Sequence, residues 1–212
     1  MAQLQNGIPR SGTVVRPRAE VDEGLRAYML RVYNYMAAGV GLTGVVAYFT
    51  SQIARTNPDV AQMLYGSPLK YVILLAPLAF VMYLSFHVYK MSPGAAQIAF
   101  WAFAAVMGVS LSSIFLVFTG QSIAQVFFVT AAAFAGLSLY GYTTSKDLSG
   151  WGSFLIMGVI GIIIAALLNL FLQSGALAFA INVLGVLIFA GLTAYDTQQI
   201  KDGYYMIRDD SA

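Results

Sequence analysis

Charged side chains are scarce in this chain of 212 residues, since lysine and arginine together number 11 and aspartate and glutamate number 9. Only 9% of the residues are charged, whereas an ordinary soluble domain carries about 25%. Hydrophobic residues make up 59% of the chain, so the charges are too few to cover a surface in water. This deficit excludes a soluble domain and predicts an integral membrane protein surrounded by the lipid bilayer.

Cysteine is absent and His87 is the single histidine. The absence of cysteine excludes disulfides, thiolate metal sites and cysteine nucleophiles. A net charge of +2 provides no dense basic patch for phosphate groups, which excludes nucleic acid as a partner. The sequence has no His-Glu-x-x-His zinc motif, and it places one carboxylate in an apolar segment where intramembrane aspartyl proteolysis needs two. We therefore predict no enzymatic activity and no cofactor.

Long segments without charge indicate the membrane spans. No charged residue occurs in the 23 positions between Arg31 and Arg55 or in the 19 positions between Lys70 and Lys90. Two further gaps, of 55 positions after Lys90 and 48 positions after Asp147, each hold a polar break near the middle. A spanning helix needs about 20 apolar residues, so each long gap holds two spans. The sequence predicts an all-α, polytopic bundle of six transmembrane helices, at roughly 29–52, 70–89, 95–118, 122–143, 152–172 and 177–199.

The basic residues are unevenly shared between the two sides of the predicted bundle. Nine of them fall on the side of the N-terminus and two, Arg55 and Lys70, fall on the other side. Because lysine and arginine concentrate in cytoplasmic loops, we expect a cytoplasmic N-terminus. The predicted organisation is a disordered cytoplasmic tail at 1–25, a transmembrane bundle at 26–201 and a cytoplasmic loop or tail at 202–212.

Asp196 is the one carboxylate attached to an apolar span, near the cytoplasmic end of the sixth predicted helix. An ionised group at such a depth is costly and usually faces the bundle interior. One interpretation is an ion or proton site whose charge depends on pH, since burial favours the neutral form of a carboxyl group. The other is a residue that water reaches and that merely ends the span. Depth alone favours neither interpretation.

Three other polar residues in or beside the spans are candidates for supporting roles. Asn169 lies near the end of the fifth predicted helix, and Gln173 lies four residues further on, so the two would share a helical face. They would line a polar cavity or, more commonly for such amides, form structural hydrogen bonds between helices. His87, three residues before Lys90, is more typical of an interfacial side chain than of a catalytic or metal-binding one.

Three segments together resemble one family. Ala194-Tyr195-Asp196-Thr197-Gln198-Gln199-Ile200 is similar to the Tyr-Asp-x-x-x-Ile signature of the Bax inhibitor (transmembrane Bax inhibitor motif) family. Gly141-Tyr-Thr-Thr-Ser-Lys-Asp-Leu-Ser-Gly150 resembles the loop between the fourth and fifth helices of the bacterial branch, and Ala166-Leu-Leu-Asn169-Leu-Phe-Leu172 resembles the end of its fifth helix. The resemblance extends from about Arg26 to Lys201, which is nearly all of the predicted membrane part.

The resemblance implies a fold and a function. The family fold has seven transmembrane helices, six of them around a central one, and its members are described as pH-sensitive calcium leak channels. The implied function is a pH-sensitive cation leak, with calcium as the transported or bound ion, in the bacterial inner membrane. Asp196 would be the calcium ligand and the pH sensor or gate, with Tyr195, Asn169 and His87 as supporting polar residues. His87 matches, in position only, a basic residue that the family places near the end of its second helix.

This sequence departs from the family pattern at its C-terminal end. The family's second pH-sensing aspartate lies on the seventh helix, about two dozen residues after the first, whereas this sequence ends at Ala212. We expect either a fragment, which the loop-like final residues favour, or a divergent member with six spans.

Two rival functions stay open at this stage. Some bacterial members of the family bind and modulate a membrane-anchored ATP-dependent protease, and the polar residues 1–25 would suit such docking. A proton-coupled carrier is the third possibility, which the single intramembrane carboxylate disfavours.

Overall fold

The computed structural model describes residues 18–144 and 146–209, which are almost entirely helical and contain no β-strand. The chain forms α1 (Arg18–Thr56), α2 (Pro58–Ala61), a π-helical turn (Gln62–Gly66), α3 (Leu69–His87), a 3-10 turn (Val88–Lys90), α4 (Pro93–Leu111), α5 (Ile114–Val117), α6 (Gly120–Thr143), α7 (Ser149–Leu172) and α8 (Gly175–Asp209).

Six of the described segments are long and apolar enough to cross a membrane. This confirms the predicted all-α architecture with six spans. One span, Pro93–Val117, is broken at Ser112, where α4 ends before α5 begins. The Ser112 hydroxyl lies 2.6 Å from the Tyr65 hydroxyl, so the break is held by a contact from the π-helical turn. The other five spans are Glu23–Thr56, Leu69–Lys90, Gly120–Thr143, Ser149–Leu172 and Gly175–Met206.

The first and last helices extend beyond the bundle boundaries that the sequence predicts at 26 and 201. α1 already begins at Arg18 and α8 continues to Asp209. The extensions pack against each other: Gly24 lies against the Tyr204 side chain, and the Tyr28 and Tyr204 rings are 5.3 Å apart. The remainder of the two predicted tails, 1–17 and 210–212, lies outside the described residues.

The bundle consists of two halves of three spans each. In the first half, α1 and α3 both pack against α4; in the second half, α6 and α7 both pack against α8. Small residues allow the close approach within a half, as at Gly108, where a Cβ atom would collide with the Thr43 carbonyl and the Val46 side chain of α1. α1 and α8 also contact each other and so join the halves.

Because successive spans run in opposite directions, the start of α1, the turn after α3, the connection between α6 and α7 and the end of α8 lie at one end of the bundle. We call this end the N-terminal end. Among the described residues it carries the basic side chains of Arg26, Arg31, Lys90, Lys146 and Lys201, whereas the opposite end carries Arg55 and Lys70.

Candidate functional site

Asp196 lies on α8 near the N-terminal end of the bundle, directly after two residues that pack against neighbouring helices. Ala194 packs against Gly141 of α6, where an added Cβ atom would collide with the Ala194 carbonyl. The ring of Tyr195 lies against Gly152 of α7. Since each helical residue turns the side chain by about 100°, Asp196 points away from both neighbours. Its side chain is exposed.

No hydrogen bond or ion pair holds the Asp196 carboxylate among the side chains described at 23–144 and 146–206. The side of α8 that faces α6 is, by contrast, buried, since Thr197 is only 3% exposed and Gln198 only 6%. The Thr197 hydroxyl donates to the Thr193 carbonyl at 2.9 Å and lies 3.4 Å from the Ser138 hydroxyl. The carboxylate is therefore free on one side of a rigidly seated helix.

Two side chains of α8 hold the connection between α6 and α7. The Gln198 Oε1 atom accepts a hydrogen bond from the Leu148 backbone N–H at 2.8 Å, and its Nε2 atom donates to the Lys146 carbonyl at 2.9 Å. The Lys201 Nζ atom donates to the Tyr142 carbonyl at 3.1 Å. Gln198 and Lys201, which follow Asp196 on α8, therefore link α8 to the end of α6 and to the connection that leads into α7.

The same connection borders a cavity of about 440 Å³ between α6, α7 and α8. Lys146 and Asp147 lie at its rim, and Tyr195 and Trp151 are among the side chains of its wall. Asp147 accepts a hydrogen bond from the Ser149 backbone N–H at 2.8 Å. That bond, together with one from the Ser149 hydroxyl, lowers the pKa of the Asp147 carboxyl group.

The structure places two of the predicted supporting residues away from Asp196. His87 ends α3 in the first half, where its ring stacks on Tyr83 with a centroid distance of 4.4 Å. Its Nδ1 atom lies 3.0 Å from the Tyr83 carbonyl oxygen. His87 shares the N-terminal end of the bundle with Asp196. Tyr195 is the one predicted supporting residue that adjoins Asp196 directly.

Asn169 lies at the opposite end of the bundle and does not share a helical face with Gln173. α7 ends at Leu172, and Gln173 adopts a left-handed conformation with φ of 48°. The Asn169 Oδ1 atom accepts a hydrogen bond from the Ser174 N–H at 3.0 Å. Asn169 therefore caps the end of its own helix. The i, i+4 spacing could not predict this structural role, because it assumes that the helix continues through Gln173.

Sequence reasoning did not identify Gln198 and Lys201 as parts of this site. A signal was present, since a run of polar residues follows Asp196 on an otherwise apolar helix. The partners could not be read from it, because they are backbone atoms 50 to 59 positions away along the chain.

The carboxylate of Asp196 has no companion of the kind a resident metal needs. Within the described residues, no group of three or more histidine, cysteine, aspartate or glutamate side chains could hold a metal ion. Ca²⁺ prefers about 6–8 oxygen ligands, so an ion at Asp196 would keep most of its water. The arrangement suits brief contact with a hydrated cation better than permanent binding.

Several bacterial proteins are similar to this chain. Residues 25–211 match the family described as "Inhibitor of apoptosis-promoting Bax1". An uncharacterized protein of Caulobacter vibrioides is 46% identical over 218 residues, covering 100% of this chain and 87% of the relative. The uncharacterized protein RP147 of Rickettsia prowazekii is 47% identical over 189 residues, covering 89% of this chain and 78% of the relative.

A third relative is named for its location. "Inner membrane protein YbhL" of Escherichia coli is 44% identical over 196 residues, covering 92% of this chain and 80% of the relative. No solved structure shows a significant match. The family match covers most of the six-span bundle, including the segment around Asp196 and the connection that Gln198 holds. The chain therefore belongs to the Bax inhibitor family of integral membrane proteins.

Proposed function

We propose that this protein is a pH-sensitive cation leak channel of the inner membrane, with calcium as the transported ion and Asp196 as the ion ligand and pH sensor. The N-terminus lies in the cytoplasm, which places the N-terminal end of the bundle on that side. The basic residues at this end support the orientation, since lysine and arginine concentrate on the cytoplasmic side. The inner-membrane name of the Escherichia coli relative supports the location.

The observation that carries the proposal is the unpaired state of Asp196. It is the single acidic residue in the 175–201 part of α8, its side chain is exposed, and no described residue neutralises it. A carboxylate oxygen is a suitable ligand for a hard divalent cation. Protonation of Asp196 would remove both the ligand and the local negative charge, so flux through this point would depend on pH.

The contacts that α8 makes beside Asp196 transmit a change of charge at Asp196 to the neighbouring helix α6. Thr197 and Gln198 bind α6 and the connection that follows it, so a shift of α8 at Asp196 moves α6 with it. Packed helices change between discrete arrangements rather than deforming continuously. A change of charge at Asp196 therefore favours one packing arrangement of α6 and α8 over another.

Calcium uptake by liposomes that contain the purified chain tests the proposal. The pH is stepped from about 8 to about 6, and Asp196→Asn is compared with the wild type and with Asp59→Asn, a control at the opposite end of the bundle. We expect the flux to change with pH in the wild type and in the control, and to be independent of pH in Asp196→Asn. A pH-dependent flux that survives in Asp196→Asn excludes Asp196 as the sensor.

A second candidate is a regulator that docks onto a membrane-anchored protease, and the polar residues 1–17 favour it. The deletion that separates the two functions should stop at residue 17. A longer deletion removes Leu25, which is 4% exposed, and Gly24, which packs against Tyr204. For a channel, calcium flux survives the deletion; for a docking protein, co-purification of the protease is lost and no flux occurs in either form.

A further inference from the structure

A cleft of about 440 Å³ lies between the two halves of the bundle, where α1 faces α6. We call it the seam cleft. Arg26 lies at its end nearest the start of α1, and Tyr33 and Phe134 line it further along, with their rings edge to face at 6.4 Å. Most of its wall is apolar and includes Met29, Leu30, Ala135 and Leu139.

Three polar side chains of the seam cleft have no hydrogen-bond or ion-pair partner among the side chains that the structure describes, at 23–144 and 146–206. The Arg26 side chain is exposed and takes part in no ion pair or hydrogen bond there. The hydroxyl groups of Tyr33 and Tyr142, which also line the cleft, are likewise without partners. A guanidinium with its row of donors matches the oxygens of a phosphate group. The cleft thus offers donors at one end and an apolar wall along its length.

The level of the seam cleft along the bundle suits a lipid headgroup. Tyr35 and Trp101, on the other side of α1, have ring centroids 6.4 Å apart and line a second cavity together with Arg31. Tyrosine and tryptophan are enriched where the hydrocarbon region meets the headgroups. Basic pockets between transmembrane helices at this depth bind anionic headgroups.

We propose that the seam cleft binds one anionic phospholipid. The phosphate diester accepts hydrogen bonds from Arg26 and from the tyrosine hydroxyl groups, and an acyl chain lies along Met29, Leu30 and Leu139. The occupant is a lipid rather than free phosphate because the polar end and the apolar wall form one continuous cleft, and inorganic phosphate would leave the wall unfilled. The site lies on α1 and α6, and neither Asp196 nor Tyr195 lines it.

Native mass spectrometry of the full chain in detergent tests the proposal. Phosphatidylglycerol and phosphatidylcholine of identical acyl chains are titrated separately, with inorganic phosphate as a competitor. Arg26→Gln removes the charge at the cleft, and Lys90→Gln removes an exposed charge at the same end of the bundle but on the turn after α3. We expect tighter binding of the first phosphatidylglycerol than of phosphatidylcholine. That affinity should fall about tenfold in Arg26→Gln and stay unchanged in Lys90→Gln.

A second pair of variants tests each end of the seam cleft separately. Tyr142→Phe keeps the ring and the backbone carbonyl to which Lys201 donates, but it removes one donor to the phosphate diester. The affinity for both lipids should therefore fall, by less than the phosphatidylglycerol affinity falls in Arg26→Gln. Ala135→Phe fills the apolar wall and should weaken both lipids. The proposal is overturned if the wild type binds the two lipids equally, if Arg26→Gln and Lys90→Gln behave alike, or if inorganic phosphate displaces the lipid completely.

Discussion

Gln198 on α8 accepts a hydrogen bond from the backbone N–H of Leu148, with 2.8 Å between the nitrogen and Oε1. The same side chain donates to the Lys146 carbonyl, so one buried amide satisfies two backbone groups of the connection between α6 and α7. Backbone groups that lose such partners in a partly buried place are costly. The connection is therefore held from α8 as well as by its own local hydrogen bonds.

Replacing Gln198 by leucine should destabilise the protein by about 1–3 kcal/mol, because it leaves both backbone groups unpaired. Thermal unfolding in detergent measures the loss of overall stability, and hydrogen exchange at the Leu148 amide measures the loss of local protection. Gln199→Leu, at an exposed neighbouring position, is the matched control and should change neither. Equal effects of the two variants would show that the hydrogen bonds of Gln198 contribute nothing measurable.

Substituting Gly141 should separate α6 from α8. A Cβ atom there would overlap the Ala194 carbonyl oxygen and crowd the Thr197 side chain, and such overpacking typically costs about 1–3 kcal/mol. Gly141→Ala should therefore lower the unfolding temperature. Gly136→Ala, on the same helix but with open space around it, should leave the temperature unchanged or raise it, since alanine favours helix by about 0.5–1 kcal/mol.

Asp147 should make the start of α7 sensitive to acid. Hydrogen bonds from the backbone N–H and the hydroxyl of Ser149 lower the pKa of this carboxyl group in the folded protein. Its stabilising contribution is thus complete above the ordinary aspartate pKa and is lost as the pH falls through the lowered folded value. The protection factor of the Ser149 amide should stay constant from about pH 6 down to about pH 4 and decrease at lower pH in the wild type. In Asp147→Asn the same factor should not follow pH.

The contact between Tyr65 and Ser112 should stabilise the break between α4 and α5. The two hydroxyl oxygens are 2.6 Å apart, and Ser112 is completely buried, with 0% exposure. Tyr65→Phe removes the bond and should cost about 0.5–1.5 kcal/mol in unfolding free energy. Tyr71→Phe is the control, since the Tyr71 ring contacts Lys70 through its face and its hydroxyl has no described partner.

The spans were predictable from the sequence because lipid tolerates few charges, so the gaps between charged residues locate the helices. The ends of α1 and α8 were not predictable from the sequence, because polar extensions of a helix carry no apolar signal. They are also stabilised by the contact between Tyr28 and Tyr204, which are distant in sequence. Asp196 was found by its isolation on an apolar span. Which way it points follows from the seating of Ala194 and Thr197, and that requires the neighbouring helices.

The two halves of the bundle are linked in very different ways at their two ends. At the far end only Phe118 and Thr119 separate α5 from α6, and two residues extend over no more than about 7 Å. Toward the N-terminal end the described contacts between the halves are noncovalent and include the ring pairs Tyr28–Tyr204 and Tyr33–Phe134. The two halves are therefore joined by a short covalent connection at one end of the bundle and by noncovalent aromatic contacts toward the other. If the two halves separate about this short connection, the separation is greatest at the N-terminal end of the bundle, where Asp196 lies.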